Sequence, residues 1–417
     1  MPRFKRLRTG DDSAGQQMGP SSWEHIFKNR VIFDNICRHM DPQGILSLRQ
    51  TTKQLSGLFD SLFKTQWNVN RSLKRFVDNP VGLRSMLARH NALISGSFAL
   101  QFFERVVWDD SDLDIYVHDD DASINAMGQY LIQAENYKFD STFDWRSPDY
   151  QQHLKEVREV KTYLRETEDS KTKENHPLKI QIIRTDATPL ETILTGFYTT
   201  VIINFISWDS AWSVFPDLSF IKRKSYQLKN LSEYYGILIG KYGRRGWRTL
   251  EDVWPEDTQY TKSLEPGKIR SVGDSKSWKI DLDTTDVSPG CPSSVVNYCF
   301  FNIRKAERAS IHDDLFRPHY EIDAKGWQSA VLKYKYTFPG YGYEDFWPHI
   351  SDRLQNLTKI ELLKLEDDER PFPETDYPWR YAENVRRHPP AGWAFWDDHL
   401  EMWFKAYQEK ADIKECD

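Results

Sequence analysis

Residues 92–117 read ALISGSFALQFFERVVWDDSDLDIYV, and the order of elements in this stretch decides the fold. Ala92-Leu93-Ile94-Ser95 is a short apolar strand, Gly96-Ser97 a turn, and Phe98–Val106 an apolar helix. Leu113–His118 is a strand again, because polar and apolar residues alternate along its first half. Asp112 and Asp114 are two positions apart, so both project from one face while Leu113 and Ile115 point into the core. A Gly-Ser turn at a helix start presents backbone amides and a hydroxyl to a phosphate. Two carboxylates on one face have the arrangement to hold Mg²⁺, which would bridge the phosphates of a nucleoside triphosphate during in-line transfer. The plainer alternative is an acidic strand end, since Asp109, Asp110, Asp119, Asp120 and Asp121 crowd the same region.

Downstream, Gln152–Thr167 reads as a charged hairpin or short helix, and Lys179–Arg184 (KIQIIR) as another strand. A helix opens near Thr188-Pro189, and a long aromatic helix runs through about Leu228–Tyr242 to a Gly243-Arg244-Arg245-Gly246 stop. Strands and helices mixed in this order predict an α+β domain over 81–250, built on a mixed sheet. Lys241, Arg244 and Arg245 either line its cleft and meet phosphate charge, or complement the dipole at the end of that helix. Residues 251–292, rich in Asp, Thr, Ser, Gly and Pro, read as a linker or surface insertion. Residues 293–417 scatter Trp327, Trp347, Trp379, Trp393, Trp396 and Trp403 among prolines such as Pro371, Pro373 and Pro378. Such a region is expected to pack on the core through its rings, as an aromatic layer over the sheet; a ligand- or peptide-binding tail is the alternative.

Upstream, residues 1–22 read as a disordered tail, whose Arg3, Lys5, Arg6 and Arg8 are either an import signal or simply solvated. Residues 23–78 form a helical unit: Ile32, Ile36 and Met40 recur at helical spacing, followed by Ile45, Leu46, Leu48, Leu55, Leu58 and Leu62. Asp41-Pro42 fits the start of a second helix, Asp41 capping it and Pro42 in its first turn.

Two resemblances rest on these residues. The run VIFDNICRHMDPQGILSLRQTTKQLSGLFDSLFKTQW resembles an F-box: an Ile32/Ile36/Met40 ladder, Asp41-Pro42, then Ile45-Leu46-Ser47-Leu48, with Trp67 where that family often carries a Trp. Asn29-Arg30-Val31 stands in place of the usual Leu-Pro opening. The resemblance implies that Ile32, Ile36, Met40, Pro42, Ile45, Leu46 and Leu48 meet the Skp-type adaptor of a cullin–RING ubiquitin ligase. The alternative is that the same helices dock on the following domain. The stretch 92–117 resembles the nucleotidyltransferase fold of polymerase-beta-like enzymes. In that family Gly96 and Ser97 would cradle phosphate and Asp112 and Asp114 would bind metal; in such a core Lys241 and Arg245 are the nucleotide-binding candidates that would meet phosphate charge. Active members carry a third carboxylate on a later strand; here Gln181 stands there, an amide that cannot serve as a general base, with Asp186 just beyond as a substitute. The segments GSFALQFFER, SDLDIYV, KIQIIR, TTVIINFISWDSAWSVFP and KYGRRGW also resemble a set of fungal proteins that join an F-box-like start to such a core.

Composition removes other classes. The 417 residues hold 56 basic and 62 acidic side chains, a formal charge of −6, so nothing general argues for nucleic acid as partner. A hydrophobic share of 39%, with 15 Trp, excludes wholesale disorder. Four dispersed cysteines make neither a zinc site nor a disulfide framework, no signal sequence is evident, and no run approaches the roughly 18 apolar residues of a membrane span. A cytoplasmic or nuclear location is expected. Gly236–Tyr242 lacks the spacing of a phosphate loop, and Ser97 is in no G-x-S-x-G elbow.

The sequence therefore predicts an F-box-type adaptor that links an unknown target protein to a cullin–RING ligase, with a degenerate transferase-like domain as recognition platform. The competing expectation is an active Mg²⁺-dependent nucleotidyltransferase acting on an unknown hydroxyl, and a third is a structural module with neither activity.

Overall fold

The computed structural model describes residues 29–51, 58, 62, 64–144, 156–166, 177–306, 318–340, 346–370 and 379–407. The expected tail at 1–22, Leu55, and Pro371, Pro373 and Pro378 lie outside these residues, as does the side chain of Leu46. The chain divides into two compact units, one ending at Gln66 and one running from Trp67 to Asp417.

In the first unit, α1 (Arg30–Arg38) starts at Asn29, whose carboxamide oxygen accepts from the amides of Val31 at 3.0 Å and Ile32 at 3.3 Å. Helix α2 (Pro42–Thr51) begins as the sequence predicts, with Asp41 Oδ1 accepting from the Gly44 amide at 2.7 Å. Gln66 returns to α1, donating to Asp34 Oδ1 at 2.7 Å. The buried residues of α1 are Phe33 and Cys37. Ile32 is exposed beside Val31, and Ile36 and Met40 are half-buried. On α2, Pro42 and Ile45 are buried and Leu48 is half-buried. The expected boundary at 78 is also corrected. Trp67 belongs to the second unit, where its indole donates to the Phe103 carbonyl at 3.2 Å and meets Trp278 edge-on at 5.3 Å.

The second unit is α+β. Its strands in chain order are β1 (Leu93–Ser95), β2 (Leu113–His118), β3 (Lys138–Asp144), β4 (Val157–Arg165), β5 (Leu178–Thr185), β6 (Asn204–Ile206) and β7 (Ser210–Ser213). They continue with β8 (Lys224–Tyr226), β9 (Arg248–Leu250), β10 (Ile269–Ser271), β11 (Trp278–Asp281) and β12 (Phe300–Lys305). The last three are β13 (Tyr320–Asp323), β14 (Lys325–Trp327) and β15 (Tyr336–Phe338). Eight form one mixed sheet in the order β11-β7-β6-β1-β2-β5-β4-β3. Its pairings are antiparallel except β2 with β5, which run parallel and set Asp114 beside Gln181. Within the charged segment, Val157–Arg165 is β4, antiparallel to both β3 and β5.

Helix α3 (Pro80–His90) leads into β1, and α4 (Gly96–Glu104) leaves it. All nine residues of α4 are buried, as an all-round apolar helix requires. Phe98 meets Phe76 edge-on at 5.7 Å and Phe103 stacks on Phe220 at 5.8 Å. Helices α5 (Asp121–Gln133), α6 (Pro189–Gly196), α7 (Glu233–Arg244), α8 (Phe346–Leu362) and α9 (Trp379–Arg387) complete the elements used below.

The linker expected over 251–292 is part of the core, so the domain does not close at 250. β11 is an edge strand of the main sheet, pairing Trp278 through Asp281 with β7, and Ile280 and Val272 are buried. Its polarity misled because the buried Arg270 is fully used: it donates to Asp274 Oδ2 at 2.8 Å, to the Ser263 carbonyl at 2.8 Å and to the Val214 carbonyl at 3.1 Å. The C-terminal region does supply an aromatic layer. Phe300, Phe338, Leu400, Trp403 and Phe404 share one core with Trp212 on β7 and Phe215 just after it. Burying each such ring contributes about 1.5–3 kcal/mol.

Candidate functional site

Two chain reversals bring the sequence motif together. Ser95 ends β1 opposite Asp114, its hydroxyl donating to the Asn204 carbonyl at 2.6 Å. Gly96 then turns the chain with φ +70°, where a side chain is strained. A methyl group there would also collide with Oδ2 of Asp114. The N-terminal turn of α4 is thus closed over by the Asp114 carboxyl group. Ser97 lies in that turn only 8% exposed, so the expected phosphate cradle offers little open surface.

Asp112 precedes β2 and Asp114 stands on it, as expected. Burial, and then the neighbouring Asp112 charge, push the Asp114 carboxyl up to about 7, while Lys179 and Lys241 pull it back. β5 supplies what faces the pair. Its parallel register sets Gln181 beside Asp114, and two residues earlier Lys179 Nζ lies 2.7 Å from Oδ2 of Asp112. Where a catalytic carboxylate would complete the group, this chain has an amide and an ammonium. Asp186 does not replace it. It follows the end of β5 at Thr185, the residue paired with His118, so it lies at the opposite end of the strands from Asp112.

Helix α7 covers the site from one side. Lys241 is half-buried on it, near enough for its charge to act on Asp114. Arg245 is committed elsewhere, donating to Asp110 Oδ1 at 2.7 Å and lying 3.9 Å from the ring centre of Trp108. It ties the end of α7 to the loop before β2. Arg75 fastens the same loop, donating to the Trp108 carbonyl at 2.8 Å and the Ser111 hydroxyl at 3.1 Å. Behind Asp114, Tyr116 and Tyr242 are buried, and burial with the Asp114 charge raises the Tyr116 phenol far above its ordinary value. Tyr198 is buried in the same cluster and stacks on Tyr235 at 5.6 Å.

Sequence reasoning missed Lys179, Arg75 and the tyrosines. Lys179 was legible, because it precedes Gln181 by two and shares its face. Arg75 and Tyr198 were not, because they reach the site only through tertiary packing.

Among the described residues, no group of three or more His, Cys, Asp or Glu is placed to hold a metal ion. Mg²⁺ is held by one or two carboxylates together with waters and substrate phosphates, and here the Asp112 carboxylate is already paired with the Lys179 ammonium, which a metal would have to displace. What the arrangement does offer is a carboxyl group that changes protonation near neutral pH, an amide and two lysines, all suited to hydrogen-bonding a polar ligand. No protein-family profile, curated protein or solved structure matches the chain.

Proposed function

We propose that this chain is an F-box-type adaptor: its first unit engages the Skp-type subunit of a cullin–RING ubiquitin ligase, and its second unit recognises the protein to be ubiquitinated. The transferase-like site in the second unit is read as a recognition surface that has lost group transfer. The observation carrying that reading is the paired substitution on β5, Lys179 against Asp112 and Gln181 beside Asp114. Phosphoryl and nucleotidyl transfer need metal between carboxylates and a base for the attacking hydroxyl. An ammonium competes with the first and an amide cannot be the second.

The adaptor half draws support from α1. Val31 is 69% and Ile32 40% exposed on a short helical unit, an apolar face of the kind a partner buries. Because Ile45 is buried, a charge there would test folding rather than docking. The informative variant is Val31→Asp/Ile32→Asp. Purified Skp-type adaptor is expected to capture the full chain at micromolar concentration and to lose this variant. Failure to capture wild type would end the adaptor reading.

The competing transferase reading draws on the contact between Gly96 and Asp114, which brings both halves of the motif to one point. It requires radioactive label to move from a nucleoside triphosphate in the presence of Mg²⁺, and to stop in Asp112→Asn/Asp114→Asn. Such transfer would overturn the recognition-surface reading.

A further inference from the structure

A second concavity lies at the far end of the same strands. Asp114 and His118 are four residues apart on β2, about 13 Å at 3.3 Å per residue, and His118 lines a cavity of about 530 Å³. This volume is in the range of small-molecule sites. Asp112, Asp114, Lys241 and Gln181 take no part in it.

Its lining is lopsided in charge. Arg89 at the end of α3, Lys333 and Lys335 before β15, and Arg386 and Arg387 at the end of α9 belong to its lining, against the single carboxylate of Asp120, and Arg386 also donates to the side-chain oxygen of Gln328. That carboxylate is turned to other work: it caps α5, accepting from the Ser123 hydroxyl at 2.6 Å and the Ser123 amide at 3.2 Å. Two histidines also line it as neutral imidazoles whose Nε2 atoms are acceptors, not donors. His118 has its Nδ1 3.0 Å from the Ala187 carbonyl, so that nitrogen carries the proton, and its Nε2 3.3 Å from Lys335 Nζ. His90 Nδ1 meets the Ser123 hydroxyl at 2.9 Å, while its buried Nε2 has no protein partner. Burial holds both imidazoles below their ordinary range.

The rest of the wall is apolar. Leu87, Leu93, Leu190, Val295 and Trp208 line it. Trp208 is fixed by its indole, which donates to the Cys291 carbonyl at 2.7 Å. Segments separated by some 300 residues in sequence, from Arg89 to Arg387, converge to place these cations around one hollow. A dense positive field in a partly enclosed, partly apolar space concentrates small anions and strengthens each charged hydrogen bond.

We infer that this cavity is a binding site for a polyphosphorylated small molecule, held by Arg89, Lys335 and the α9 arginines with its carbon skeleton against Trp208 and the leucines. Phosphate is favoured over a lone carboxylate because five cations against one acid would leave a monoanion with charge to spare. The site is independent of the Asp112–Asp114 pair and of any activity there.

Calorimetric titration of the full chain, without divalent cations, tests it with inorganic tripolyphosphate, adenosine triphosphate and inositol hexakisphosphate. Saturable binding of at least one, at micromolar concentration, is expected. Binding of all three identifies phosphate density as the determinant; preference for the nucleotide identifies the apolar wall as a base site. Arg89→Gln/Lys335→Gln should weaken binding by about tenfold or more, as the loss of charged hydrogen bonds requires. Asp112→Asn/Asp114→Asn should leave it unchanged. Should the charge variant misfold, acetylation of Lys333 and Lys335 in wild type, read by mass spectrometry, should be suppressed by the bound probe. No saturable binding up to about 1 mM, equal binding by a folded charge variant, or loss of binding in the carboxylate variant would each overturn the assignment.

Discussion

The ammonium of Lys179 lies 2.7 Å from Oδ2 of Asp112, across two strands that run parallel. The chain thus carries its own cation at the carboxylate pair. The arrangement leaves the Asp112 charge compensated and Asp114 as the group that titrates. Four expectations follow from this core and its surroundings.

Removing the resident cation and restoring the acid should create a metal site. Lys179→Ala/Gln181→Asp is expected to bind Mn²⁺ in the micromolar range, with wild type at least about tenfold weaker. Electron paramagnetic resonance titration of free Mn²⁺ reads both. Equal affinities would show that Lys179 does not guard the pair.

Asp114 should make stability depend on pH. Its folded value near 7 lies above the ordinary 3.8, so the folded state holds a proton that the unfolded state has released. Stability is then full below about pH 4 for this group and falls as pH rises from about 4 to 7. Asp114→Asn should remove that slope and raise stability at pH 8 by about 1–4 kcal/mol. Urea unfolding of both proteins across this pH range would show parallel curves if the carboxyl were ordinary.

Gly96→Ala should destabilise by about 1–3 kcal/mol, from the positive φ and the collision with Asp114 together. Gly96→Ala in an Asp114→Ser background separates the two costs. Partial recovery is expected; none would mean that the backbone alone sets the penalty.

Ile280→Ala on β11 should cost about 2–5 kcal/mol, the range for an aliphatic side chain removed from a packed core. In a linker the same change would be silent. Thermal unfolding decides between the two.

Much of the central motif was legible because it is local. β1, the turn at Gly96, α4 and β2 follow from spacing alone, and the capping of α2 by Asp41 follows from residue type. Gln181 was found on the correct strand because KIQIIR alternates. What failed were inferences about distance. Residues 251–292 look like a linker until Arg270 meets its partners from Ser263, Asp274 and Val214, and only then does the polarity become a buried network. Trp67 was assigned to the helices that precede it, yet its ring partner, Trp278, is 211 positions on. The cation-lined cavity was invisible for the same reason, since no window of sequence contains both Arg89 and Arg387.

The late arrival of β11 also has a consequence during synthesis. β7 ends at Ser213 and its outer neighbour begins at Trp278, so on the ribosome one side of the sheet waits for about 65 further residues. Through that interval Ala211 and Trp212 sit on a strand paired with β6 on one side only, the kind of open edge that recruits other strands. At 5–20 residues per second the wait lasts about 3–13 seconds. The nascent chain is therefore most vulnerable to misassociation in this window, and a pause or truncation between residues 214 and 277 should yield aggregates rather than a smaller folded protein.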